Sequence, residues 1–168
     1  MTRKLKVLLL LGCVFMAMNS NSLWAQKVGH INTAELLQNL PIWKSADTEL
    51  QTYTKKLSDA IVAKEKAIQA DYEKLLADQN NLAPNILKQK AGDIENRAKA
   101  LEQERVDAQK KALKKEQDLT QPITQKVIDA INAVAAEKGY DYIIDTSTGA
   151  VLHADPGMDI MSAVKAKL

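Results

Sequence analysis

Residues 42–121 constrain the fold more than any other part of the chain. They are rich in Ala, Lys, Glu, Gln, Asp and Leu and hold one Gly and one internal Pro, a composition that sustains long helices. Steps of four and three from Leu87 reach Ala91, Ile94, Ala98, Leu101, Arg105, Ala108, Ala112, Lys115 and Leu119, and eight of these ten positions are aliphatic. That is the stripe a helix lays against a partner helix. The first half is weaker. Ile61, Ile68, Leu75 and Leu82 repeat every seven residues, but the companion positions run Leu50, Leu57, Lys64, Asp71 and Asp78, so the apolar seam fades toward residue 80.

Between the halves lies Asn80-Asn81-Leu82-Ala83-Pro84-Asn85, a cluster of turn formers whose proline suits the first turn of a new helix. Pro41 suits a helix start as well, and Gln121 precedes Pro122, which disfavours helical angles before it. Two matched helices joined by a short turn predict an antiparallel hairpin, each arm roughly 55 Å long at 1.5 Å per residue. Its outer faces carry mixed charge, 15 basic and 14 acidic residues over 42–121.

The two ends of the chain have a different character. Lys27-Val28-Gly29-His30-Ile31 is short and β-compatible, and Asn32 with Glu35 three residues on forms a capping-box-like pair. After Pro122 an apolar helix (Ile123, Val127, Ile128, Ile131, Val134, Ala135) stops at Gly139. Tyr140 to Asp145 and Ala150 to His153 are expected strands around a Thr146–Gly149 turn, and Ile160 to Leu168 an expected final helix presenting Ile160, Met161, Val164 and Leu168 on one side. A hairpin returns the chain to where it left, so these ends must meet. Together they form a body of about 60 residues (26–40 and 122–168), a size that buries only about 60% of its unfolded surface. Three candidate strands would leave open edges. Oligomerisation answers both problems.

Residues 1–25 carry a separate signal. Arg3, Lys4 and Lys6 precede an apolar run from Val7 to Met18, and Ser22-Leu23-Trp24-Ala25 offers a small residue for cleavage. This is the pattern of a secretory signal peptide. Leu10-Leu11-Gly12-Cys13 loosely matches a lipoprotein box, a weaker alternative because the apolar run continues past Cys13. The segment holds three of the 23 basic residues and none of the 21 acidic ones, so its removal takes the net charge from +2 to −1. A chain so close to neutral gives no argument for nucleic acid as a partner. Cys13 is the only cysteine, so the cleaved chain has neither a disulfide nor a thiol nucleophile.

Catalytic and metal-binding patterns are weak. His30 and His153 are the only histidines, without a third ligand at metal-binding spacing. Asp141, Asp145, Asp155 and Asp159 fall at expected strand ends and turns, where Asp caps and forms Asx-turns rather than acid–base pairs. There is no glycine-rich phosphate loop. No enzyme activity, cofactor or metal is expected.

The opening Val28-Gly29-His30-Ile31-Asn32 with Leu36-Leu37-Gln38 resembles the first strand and short helix of the Skp/OmpH family of periplasmic chaperones. Tyr140-Asp141-Tyr142-Ile143-Ile144-Asp145, Val151-Leu152-His153-Ala154-Asp155-Pro156 and Asp159-Ile160 resemble its closing strands and terminal helix. His153 stands where the family more often has an aromatic residue, and Met161 where it often has Thr. The resemblance implies an α+β fold, mainly α: a helical-hairpin arm (41–121) projecting from a small β-barrel body shared by a homotrimer. It implies an ATP-independent periplasmic holdase that keeps unfolded outer-membrane proteins in a cavity between arms before insertion. Well-known members are strongly basic and touch lipopolysaccharide. The near-neutral charge of this chain does not support lipopolysaccharide or a membrane surface as a partner, and the dense basic patch Lys110, Lys111, Lys114 and Lys115 is what a solvated helix face presents.

A holdase needs many weak apolar contacts rather than one deep pocket. Helical phase makes Tyr53, Tyr72, Leu76, Leu82 and Ile86 the expected client contacts. The shared strand body that the resemblance implies makes Val28, Ile31, Tyr142, Ile144, Val151 and Leu152, on the expected strands, its oligomerisation residues. The competing reading is a structural or adaptor coiled-coil protein of the cell envelope. A rigid spacer wants an unbroken seam, and the fading of this one favours the chaperone.

Overall fold

The computed structural model describes residues 26–168, so the leader expected at 1–25, with Cys13, lies outside the described residues. Strand β1 (Val28–Ile31) leads through Asn32 into the short helix α1 (Thr33–Asn39), whose first turn is capped by Asn32 Oδ1 accepting from the Glu35 N–H at 3.0 Å. Pro41 then opens α2 (Pro41–Asp78), and Pro84 opens α3 (Pro84–Lys138), a single helix of 55 residues. Gly139, with φ at 66°, takes the left-handed position that ends α3. Strand β2 (Tyr142–Asp145) follows, then a 3₁₀ turn at Thr146–Thr148, another at Pro156–Met158, and the short helix α4 (Met161–Lys165).

Helices α2 and α3 pack against each other as the antiparallel hairpin that the heptads predict. The expected break at Gln121–Pro122 is absent: α3 runs straight through Pro122. A proline inside a helix forfeits one hydrogen bond and crowds the carbonyl four residues back, here that of Asp118. Packing on both sides outweighs that local cost, because Leu119 is half-buried and Ile123 buried. The same helix therefore serves the arm and the body.

In the body, β1 and β2 pair in parallel, with Val28 opposite Tyr142 and Ile31 opposite Asp145. A parallel pair needs a long crossover, and the entire hairpin supplies it. Beneath the sheet, Ile31, Leu36, Val127, Ala130, Val134, Ile160 and Val164 make one buried cluster. Gly29 permits its close side: a Cβ there would lie 2.9 Å from Ile143 Cδ1 and 3.1 Å from Tyr140 Cε1. Ile128, expected with the apolar face, points to solvent instead.

The expected strand at Ala150–His153 does not form. That segment is irregular, with Leu152 97% exposed, and pairs with neither β1 nor β2. Among the described residues the sheet has two strands, extended by a parallel bridge between His30 and Asp159 and by the Ile160 N–H donating to His30 O at 3.0 Å. One chain thus displays a two-stranded body rather than a barrel. The final helix is also shorter than expected: Ile160 precedes it, and Leu168 lies beyond it, exposed.

Candidate functional site: the hairpin arm

The arm's seam explains its charged interruptions. Arg105 and Lys115, the two non-aliphatic positions of the α3 stripe, each meet a carboxylate across the hairpin: Arg105 pairs with Glu65, and Lys115 with Glu49 at 2.5 Å. Two of the companion positions that fade in α2 do the same, Lys64 pairing with Glu104 and Asp71 with Arg97. The hydrogen bond from Lys115 to Glu49 holds that ammonium above its ordinary pKa, and Lys115 also lies 5.9 Å from the Tyr53 ring centre. At these four positions the seam is zipped by opposite charge. Few of its side chains are buried; Ala46, Leu75 and Leu101 are.

The expected contact residues separate along the arm. Tyr72 and Leu76 are exposed near the end of α2, one helical turn apart. Ile86 is exposed in the first turn of α3. Leu82, in the connection between the helices, is half-buried. Tyr53 lies much nearer the body, half-buried beside Lys115 in a shallow cleft of about 650 Å³ that it shares with Lys44, Thr48, Thr52 and Lys56. The sequence reading missed Val62, Val106 and Leu113, which are exposed on the arm. Their signal was available, since each falls one residue beyond a heptad position.

The body residues divide similarly. Ile31 is buried in the chain's own core, and Val28 and Val151 are half-buried. Tyr142 and Ile144 on β2, and Leu152 after it, are exposed. A hydrogen-bonded corner fixes β2: Thr33 Oγ1 donates to Asp145 Oδ2 at 2.5 Å, the Thr33 N–H to Oδ1 at 3.2 Å, and the Ser147 N–H to Oδ1 at 2.9 Å. Partial burial pushes the Asp145 pKa up, and the bonds from Thr33 and Ser147 overcome it, leaving the carboxyl below its ordinary value. Lys27 Nζ donates to Lys138 O at 2.7 Å and lies 4.6 Å from the Tyr140 ring centre, closing the other side.

Of the polar groups singled out in the body, His30, Asp141, Asp145, Asp155 and Asp159 each bond a backbone group. His30 Nε2 lies 2.9 Å from Asp155 O, and Asp155 and Asp159 each accept from a backbone N–H two residues on. Among the described residues, no group of three or more His, Cys, Asp or Glu is placed to hold a metal ion. No helix among them is long and apolar enough to cross a membrane.

The family profile described as "Outer membrane protein (OmpH-like)" matches residues 27–168. The chain is similar to "Chaperone protein Skp" of Vibrio cholerae serotype O1, with 31% identity over 74% of this chain and 73% of the relative. It is also similar to "Chaperone protein Skp" of Yersinia enterocolitica, with 28% identity over 86% and 87%. A solved structure of a protein described as an OmpH-like outer membrane chaperone, from Caulobacter crescentus CB15, superposes with a TM-score of 0.75. It is 22% identical and covers 84% of this chain and 83% of its own, a likeness of fold. With a profile matched from β1 to the last residue and curated relatives matched along most of their length, the chain belongs to the Skp/OmpH family.

Proposed function

We propose that the protein is an ATP-independent holdase of the bacterial periplasm. The leader at 1–25 directs export, and the cleaved chain assembles as a homotrimer. In it, β1, β2 and the segment around Leu152 from three subunits complete a small barrel, and the arms surround a cavity for unfolded outer-membrane proteins. Binding needs no nucleotide, metal or cofactor.

The observation that carries this reading is the exposure of large apolar side chains along a slender charged hairpin: Tyr72, Leu76, Ile86, Val62, Val106 and Leu113. Scattered apolar contacts on arms around a shared cavity sum to affinity without a pocket. The exposed Tyr142, Ile144 and Leu152 support assembly, because a lone body of this size is marginal. The names of the relatives support the chaperone role.

The test is dilution of a urea-unfolded outer-membrane barrel protein into buffer with the purified protein and no nucleotide. Light scattering stays low, and the mass of the complex equals three chains plus one client. A client that aggregates at its unassisted rate, or a protein that stays a single subunit, refutes the reading.

A further inference from the structure

The arm has two unlike flanks. Counting from the seam, Val62 and Leu76 each come one residue after the seam residues Ile61 and Leu75, and Tyr72 one after Asp71. On α3, Val106 and Leu113 each come one residue after Arg105 and Ala112. In an antiparallel helix pair, the residues that follow the seam on both helices face the same side. Five large apolar side chains, between 41% and 67% exposed, therefore share one flank. The opposite flank holds residues that precede seam positions. Glu49, Arg97 and Glu104 there bridge to Lys115, Asp71 and Lys64, and Tyr53 and Ile86 lie on it too. One cross-helix pair, Glu65–Arg105, crosses on the apolar flank.

We propose that this flank is the client track of the arm, and that its occupant is an extended polypeptide segment with apolar side chains at alternate residues. The inference rests on the holdase reading and narrows it to one side of the hairpin. Tyr72 and Leu76, four residues apart in a helix, are about 6 Å apart along the axis. Alternate side chains of an extended chain recur at about 6.6–6.8 Å, so one such segment meets both. The cross-helix pairs Lys64–Glu104 and Asp71–Arg97 fix the register of the two helices, and in that register the five residues span roughly 30 Å of arm. Lys55, Gln69, Lys99, Glu102 and Gln109 stand between them at the same flank positions. A second helix, including another copy of this arm, needs apolar positions repeated every three or four residues without such gaps. A strand-forming client in extended form does not.

The test compares two variants of the purified protein for affinity toward a urea-unfolded outer-membrane barrel protein. One combines Val62→Ser, Tyr72→Ser, Leu76→Ser, Val106→Ser and Leu113→Ser; the other combines Ala60→Ser, Ala63→Ser and Ala100→Ser, exposed residues that precede seam positions on the opposite flank. The first loses affinity about tenfold or more, since most of the track's apolar area is gone. The second changes it by less than about twofold, and the helicity of both by circular dichroism is unchanged. A photo-crosslinking residue in place of Gln69 traps the client, whereas one in place of Ala67, on the other side of Ile68, does not. A peptide with alternating apolar residues competes with the client, and one of equal composition with helical spacing does not. Equal affinity of the five-residue variant, equal crosslinking from both sides or equal competition by both peptides overturns the inference and leaves the holdase standing. Failure of the unsubstituted protein to hold the client overturns both.

Discussion

Thr33 Oγ1 donates to Asp145 Oδ2 at 2.5 Å, joining within the body the first turn of α1 to the end of β2, between which the whole arm intervenes in sequence. Asp145→Ala removes the acceptor of this bond and of the two backbone donors beside it, at a cost of about 1–3 kcal/mol. The folded pKa of Asp145 is lowered, so its contribution is complete above the ordinary aspartate value near about pH 4 and is lost as pH falls through the folded value. Urea unfolding as a function of pH checks both statements: the acid-side decline of the unsubstituted protein is shallower in Asp145→Ala.

Leu36 is fully buried between β1, α3 and the C-terminal helix. Leu36→Ala leaves a cavity that costs about 2–5 kcal/mol, a large share of the stability of so small a body. Thermal unfolding followed by circular dichroism is expected to show a body that melts far earlier.

The cross-helix pairs predict a charge-swap rescue. Lys64→Glu alone sets two carboxylates side by side and loosens the arm, as does Glu104→Lys alone with two ammonium groups. The double swap restores the pairing, with a coupling of about 0.2–1 kcal/mol because the pair is exposed. A double-mutant cycle in thermal unfolding measures that coupling, which shrinks in high salt.

Pro122 lies inside α3 where the arm joins the body. Pro122→Ala restores the missing N–H bond to the Asp118 carbonyl, and an interior proline costs a helix about 3 kcal/mol relative to alanine. Amide hydrogen exchange is expected to slow at residues 118–126 and to stay unchanged near the tip.

The hairpin was legible because long helices announce themselves locally. The heptad of Leu87 to Leu119 and the turn formers around Pro84 coincide with what forms. What escaped depends on contacts the sequence does not order. Pro122 looks like a boundary by its own chemistry, and only the packing of Leu119 and Ile123 makes it an interior residue. Ala150 to His153 has the residue types of a strand, but pairing is a property of two edges rather than of one segment, and here the segment joins neither β1 nor β2. Lys64 and Asp71 look like flaws in a seam until Glu104 and Arg97, distant in sequence, arrive opposite them. The same holds for the arm's flanks. Tyr72 and Leu76 are picked out by phase on one helix, whereas grouping them with Val106 and Leu113 requires knowing that the helices run antiparallel.

The parallel pairing of β1 with β2 also dictates an order of birth. The two halves of the sheet are among the first and the last pieces of the described chain to be made. Helical segments form from near neighbours, while distant strands must wait for each other. During synthesis the prong is complete before the platform that anchors it. A chain truncated shortly before Tyr142 therefore keeps a helical hairpin and has nothing with which to close its base.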